Sequence, residues 1–316
     1  MLRTPASTAC SERHEVLAPR EVPLGGPRAM TVRRTLPHRD RRTVGAWCFV
    51  DHYGPDDVTG GPGMQVPPHP HTGLQTVSWL LEGEVLHRDS LGSLQLVRPG
   101  ELNLMTAGHG ISHSEESPAD HSPRLHGVQL WTALPAASRD REPAFAHHAD
   151  LPVVTAPRLE ATVFMGSLDG ASSPAWTATP LLGAELRLAA GGEPNLPVEA
   201  DFEHAVLAVD GDVTVDGRAL ERGTLVFLGG GRREVGVASA AGGTALLLGG
   251  TPFTEELVMW WNFVGGSHED VARAREQWQA ADERFGTVVG YAGGRLDAPE
   301  LPNTPLRPRG AVRHRP

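Results

Sequence analysis

Glycine and proline recur along the whole chain and cut it into short apolar runs, so few stretches can form long helices. With 37 glycines and 27 prolines in 316 residues, the sequence favours short strands joined by hairpins, the pattern of a barrel or sandwich. From Val22 onward it reads as strand and turn. Ala46-Trp47-Cys48-Phe49-Val50 reads as a buried strand, and residues 51–63, rich in Gly, Pro and Asp, read as a loop. Residues 76–81 form the next strand, which Glu82-Gly83-Glu84 turns into a return strand over 85–88. After the Pro99-Gly100 turn, Leu102-Asn103-Leu104-Met105 is strand-like again.

The second half repeats this plan. Val206-Leu207-Ala208-Val209 runs into Asp210-Gly211-Asp212 as Val77-Ser78-Trp79-Leu80-Leu81 runs into Glu82-Gly83-Glu84. Arg222-Gly223-Thr224-Leu225 echoes Pro99-Gly100-Glu101-Leu102. The matched glycines lie 128 and 123 residues apart, which agrees within a change of loop length. The expectation is two related β-barrels in tandem.

Two short pairs carry the chemistry: His69-Pro70-His71 and His113-Ser114-Glu115. Alternate side chains of a strand point to one face, roughly 6 to 7 Å apart, so two such pairs on facing strands can converge on one ion. Three imidazoles and one carboxylate suit a borderline divalent metal such as Fe, Mn, Ni, Cu or Zn and leave positions open for substrate or dioxygen. The cysteines, Cys10 and Cys48, lie away from the pairs, which excludes a cysteine zinc module and argues against a disulfide framework. Transferring the repeat offsets puts Pro197 and Glu199 opposite the first pair, and Gly236 and Ala238 opposite the second. Only the N-terminal barrel is expected to bind metal.

A net charge of −10 argues against broad binding of a phosphate backbone, so no direct nucleic-acid partner is expected. All 28 basic residues are arginine, which excludes a lysine Schiff base and a P-loop with its lysine. No apolar run reaches the length of a membrane span and the N-terminus lacks the apolar core of a secretory signal. The chain therefore reads as soluble and cytoplasmic, with no membrane partner. Residues 1–20 read as a mobile tail, 21–150 as the metal-binding barrel and 151–290 as the second barrel. Ser267 and Asp270 have capping-box spacing, and Val271, Ala274, Trp278, Ala281 and Phe285 form an apolar stripe, predicting a helix near 267–285. Residues 291–316, rich in Pro and Arg, read as an extended tail.

Over roughly residues 22–285 the chain resembles the pirins, a family of the cupin superfamily. The resemblance rests on Val22-Pro23-Leu24-Gly25-Gly26, Asp51-His52-Tyr53-Gly54-Pro55, His69-Pro70-His71-Thr72-Gly73, Met105-Thr106-Ala107-Gly108-His109-Gly110-Ile111, His113-Ser114-Glu115 and Trp260-Trp261-Asn262-Phe263, in the family's order. It implies an all-β fold of two tandem jelly-roll cupin barrels with a C-terminal helix. It also implies one metal, usually iron, held by the residues at His69, His71, His113 and Glu115; Mn, Ni, Cu, Co and Zn remain compatible with that donor set. Gln75 departs from the glutamate of many pirins, at a position where cupins often place a carboxylate ligand.

The activity implied is a dioxygenase using O2 on flavonols such as quercetin, with Glu115 as proton acceptor. Other pirins act as regulators, and in that alternative the metal is a redox switch and the partner is a protein. Of the remaining histidines, His109 reads as a solvent-facing loop residue and His52 as packed in its loop, while His121, His126, His147 and His148 read as surface or structural. Trp79, Trp131, Trp176, Trp260 and Trp261 suit a flavonol pocket and equally suit a core.

Overall fold

The computed structural model describes residues 14–24 and 30–312. Two β-sandwich barrels of matching topology account for most of the chain. In the first, a seven-stranded sheet has the order Ala144–His148, Leu102–Thr106, Leu74–Glu82, Arg124–Ala133, Trp47–Asp57, Thr31–Leu36, Arg20–Pro23. A four-stranded sheet of Gln65–His71, Ile111–Glu116, Val85–Asp89 and Leu94–Val97 faces it. In the second barrel the path is Glu15–Leu17, Leu225–Gly229, Glu203–Gly211, Gly243–Gly250, Leu181–Leu188, Leu159–Leu168, Val153–Ala156. Its small sheet is Asn195–Pro197, Glu234–Ala238, Val213–Val215 and Arg218–Leu220. The same strand order in both copies is the repeat seen in the sequence, so the chain is an all-β double cupin.

The two barrels exchange an edge strand. Glu15–Leu17, within the segment read as a tail, pairs with Leu225–Gly229 of the second barrel. Reciprocally, Ala144–His148, on the way to the second barrel, pairs with Leu102–Thr106 of the first. Each exchanged strand covers an edge that would otherwise present unpaired backbone groups. Residues 1–13 of the expected tail lie outside the described residues.

A shared core joins the barrels: Trp47, Val50, Val77 and Trp79 of the first pack with Phe164, Leu207 and Leu246 of the second. Buried indoles need a hydrogen-bond acceptor, and here the opposite barrel supplies it. Trp47 Nε1 donates to the carbonyls of Leu182 and Gly249 at 3.0 and 3.1 Å, and Trp79 Nε1 donates to Glu185 Oε2 at 2.6 Å.

Three sequence expectations are corrected. The strand Trp47–Asp57 continues through most of the stretch read as a loop. Proline is tolerated there because Gly54-Pro55 falls at a bulge, where the register against Arg124–Ala133 shifts between Leu125 and Gly127. The helix spans His268–Gln279, shorter than expected: its capping box forms as read, but Ala281 takes a left-handed φ of 56° and Phe285 ends a separate 3-10 turn. The second barrel's register places Asn195 opposite Gly236 and Pro197 opposite Glu234, two residues from the positions that the offset gave for the first pair.

The segment after Gly293 runs without helix and docks on the molecule. Leu296 N donates to the Pro68 carbonyl and Trp278 Nε1 to the Leu296 carbonyl, both at 2.8 Å. Among the described residues no helix is long and apolar enough to cross a membrane.

Histidines buried away from the small sheets make stability depend on pH. His204 is fully buried with neither ring nitrogen hydrogen-bonded, and burial, helped by the charge of Arg232, holds its pKa down to about 4. His52 and His126 meet Nε2 to Nε2 at 2.8 Å, and burial lowers them to about 3 and about 4. Below the ordinary value of 6.5 the unfolded chain binds protons that the folded chain refuses, so stability must fall as pH drops from 6.5 towards 4. We expect a slope of about 1.4 kcal/mol per pH unit for each such histidine in denaturant titrations. His204→Leu should make the slope shallower by one share; an unchanged slope would mean that the ring protonates freely in the folded protein.

Candidate metal centre

Strands Gln65–His71 and Ile111–Glu116 run antiparallel, with His71 opposite Ile111 and His69 opposite His113. Because side chains alternate, this register turns His69, His71, His113 and Glu115 into the first barrel. All four are buried.

The three imidazoles form one cluster. Ring centroids are 4.9 Å apart for His69 and His71, 4.4 Å for His69 and His113, and 5.0 Å for His71 and His113. His71 Nε2 lies 3.1 Å from His113 Nε2. His69 Nδ1 lies 2.9 Å from the Pro67 carbonyl, so it carries the proton and leaves Nε2 bare. Burial lowers the His69 pKa to about 4 and those of His71 and His113 well below the usual value, with neighbouring imidazoles adding to each. At neutral pH the cluster is three uncharged bases with their lone pairs available. Such a buried donor set fits a divalent ion.

Glu115 extends the cluster through His113. Its nearest possible co-ligands are His113 and His87, and these three form a second group that shares His113 with the first. Ser78 Oγ lies 2.9 Å from Glu115 Oε1 and 3.0 Å from Gln129 Oε1. Burial raises the Glu115 carboxyl above its usual range, against the effects of His87 and the Ser78 hydrogen bond.

His87 was not singled out in the sequence. It stands opposite Glu115 on the neighbouring strand, and Asp89 stands opposite His113. The alternating burial of Val85, His87 and Asp89 shows that all three face the interior, a signal present in the sequence as period-two strand pattern. His87 Nε2 lies 3.1 Å from Asp89 Oδ2, and hydrogen bonds from His87 and Ser93 outweigh burial to hold the Asp89 carboxyl below its usual range. No motif marks the pair.

A cavity of about 560 Å³ opens onto the histidines. Phe49 and Trp131, stacked at 3.9 Å, line it together with Trp260, Trp261 and Leu296, Asp297 and Pro299 of the C-terminal segment. Arg34 lies over the Phe49 ring at 4.4 Å and makes two 2.7 Å hydrogen bonds to Asp51. Trp79 belongs to the shared core and Trp176 is exposed under Arg141, so neither lines this cavity.

Other expectations sort as follows. Gln75 lies on the opposite face of its strand from Thr76, which lines the cavity, and hydrogen-bonds Thr106, Thr132 and the Trp176 carbonyl. Its side chain therefore points away from the cavity. His109 is half-buried, with Nε2 3.2 Å from Glu142. His52 pairs with His126 and touches none of the clustered imidazoles. His147 bonds Asn103, and His121 bonds backbone carbonyls at the surface. Among the described residues, no comparable cluster occurs in the second barrel.

Fold and site together define a double cupin with a metal-type histidine cluster, among the described residues, in its first barrel. Residues 29–132 match the pirin family and residues 183–286 its C-terminal cupin domain. A Pseudomonas aeruginosa protein that carries a provisional name as a quercetin 2,3-dioxygenase is 45% identical over 94% of this chain and 95% of its own. Human pirin is 29% identical over 73% of this chain and 81% of its own. The crystal structure of a quercetin 2,3-dioxygenase from Acinetobacter baumannii superposes with a TM-score of 0.89 at 42% identity, covering 93% of this chain and 97% of that one. The chain belongs to the pirin family.

Trp131 reports on occupancy, because its ring lies 5.2 Å from that of His71. Titration with Cu(II), a paramagnetic quencher, should lower tryptophan emission to a plateau at one equivalent, and Trp131→Phe should remove the largest part of the change. Quenching that rises without a plateau would indicate scattered surface binding.

Proposed function

We propose that this protein is a metal-dependent dioxygenase of the quercetin 2,3-dioxygenase type, acting on a flavonol-like substrate with O2. The observation that carries the reading is the convergence of three neutral, buried imidazoles on an aromatic-walled cavity of about 560 Å³. The identity shared with the Acinetobacter baumannii enzyme supports it. The proposed ligands are His69, His71, His113 and Glu115, within a metal-binding barrel of residues 21–150, and the proposed ion is Fe(II). An Escherichia coli pirin of 18% identity has been solved in complex with nickel(II), so the fold also accommodates that ion.

A bound divalent ion would supply an acidified substrate hydroxyl and a shared seat for substrate and dioxygen. The chain supplies the rest. His69 is held by the Pro67 carbonyl, so its bare Nε2 keeps a fixed direction. Phe49, Trp131, Trp260 and Trp261 take up a flat aromatic substrate and exclude water from its faces. Glu115, oriented by Ser78, would be the residue placed to accept the hydroxyl proton.

Oxygen uptake on quercetin tests this reading. Fe(II)-loaded protein should consume oxygen in step with quercetin loss, and His113→Ala should lower the rate at least 100-fold. Glu115→Gln should retain metal while losing most turnover. Loaded, folded protein that leaves a flavonol panel untouched would overturn the assignment.

A further inference from the structure

We infer that Asp89 and His87 form a directed hydrogen-bond chain that fixes the tautomer of His113, making both of them positioning residues of the metal centre. The inference rests on the proposal that His113 is a ligand. It adds two residues to the site and assigns each a direction of donation.

The chain begins at a carboxylate whose orientation is set by backbone. Asp89 Oδ1 accepts from Leu91 N and Ser93 N, both at 2.9 Å. That leaves Oδ2, 3.1 Å from His87 Nε2, and a carboxylate can only accept. His87 Nε2 therefore carries the ring's proton and Nδ1 is an acceptor. This bare Nδ1 lies 3.4 Å from His113 Nδ1. His113 must donate there, so its own Nδ1 is protonated and its Nε2 is bare. Nε2 is the atom that points at His71, 3.1 Å away, inside the imidazole cluster.

The parts are held rigidly. The His87 and Asp89 side chains are almost wholly buried, and Phe145 stacks on the His87 ring at 4.4 Å with 17° between planes. Phe145 belongs to the edge strand Ala144–His148, which leads to the second barrel, so the linker strand also clamps the ring. A histidine ligand whose second nitrogen is tied to an acceptor is oriented and in the correct tautomer before metal arrives.

Asp89→Asn separates this account from simple packing because it is isosteric. The asparagine oxygen has to stay at the Oδ1 position to satisfy Leu91 N and Ser93 N, which turns its NH2 towards His87 Nε2. His87 must then accept at Nε2 and donate from Nδ1. His113 has to accept in turn, and its proton moves to Nε2, the atom needed for the metal. His87→Gln provides the converse, because its amide oxygen can accept from His113 while its NH2 donates to Asp89.

The test uses full-length metal-free protein, with the His113 tautomer read by nitrogen-15 NMR and Co(II) affinity read by chelator competition. Wild type should show His113 protonated at Nδ1. Asp89→Asn should move that proton to Nε2 and weaken Co(II) binding by about 10- to 100-fold, the range known for residues that orient metal ligands. His87→Leu should lose similar affinity and His87→Gln should regain most of it, at unchanged unfolding midpoints.

An unmoved His113 proton in Asp89→Asn would overturn the inference, whatever the affinity does. So would loss of one imidazole from the Co(II) ligand-field spectrum in His87→Leu, which would make His87 a ligand. Wild type that takes up no Co(II) would refute the metal reading instead, and the NMR result would still decide the hydrogen-bond chain.

Discussion

The antiparallel register between Gln65–His71 and Ile111–Glu116 is the constraint on which the site depends. It sets His69 against His113 and His71 against Ile111, so the imidazoles and Glu115 enter the barrel while Pro70, Ser112 and Ser114 turn away. A slip of one residue by Gln65–His71 would turn both its imidazoles out of the barrel and bring Pro70 in. The neighbouring strand extends the same logic, since Glu115 stands opposite His87 and His113 opposite Asp89. Burying so many polar groups is costly unless each has a partner. The Pro67 carbonyl, Ser78 and Asp89 provide partners for His69, Glu115 and His87, and the converging nitrogens form a donor set that fits a divalent ion.

The second barrel shows what the scaffold does without this polar lining. Its interior is aliphatic, with Val163, Leu186, Val206 and Leu247 in one cluster, and Gly236 and Ala238 stand where the first barrel has His113 and Glu115. Its contribution to the site is mechanical. It accepts the indoles of Trp47 and Trp79, takes the strand Glu15–Leu17 and returns the strand that carries Phe145. After it, the Trp260–Phe263 hairpin and the docked C-terminal segment close over the cavity. The metal-type barrel is thus walled by residues from both ends of the chain.

Most of the architecture was legible because period-two alternation and glycine turns are local signals. The histidine pairs were legible because strand alternation alone makes residues 69 and 71, or 113 and 115, neighbours on one face. What escaped depends on distant partners. Glu15–Leu17 is three residues long and its partner lies over two hundred residues away, so nothing near it announces a strand. The Gly54-Pro55 step looked like a break, yet a bulge in the partner register absorbs it. His87 and Asp89 carry no motif, and their placement appears only when Val85–Asp89 is paired with the strand of His113 and Glu115. Gln75 stands where many pirins have glutamate, and strand parity turns its side chain towards the other barrel's side of the sheet, a direction that only the paired strands reveal.

The central claim is that one divalent ion sits among His69, His71, His113 and Glu115 and that the second barrel holds none. Anomalous diffraction from metal-loaded crystals, collected on both sides of the metal's absorption edge, tests this most directly. The account predicts one strong peak per chain within bonding distance of the three imidazole Nε2 atoms, and no peak inside the second barrel. A peak bound by His87 and Glu115 without His69 and His71, or loaded crystals with no peak at the cluster, would contradict it.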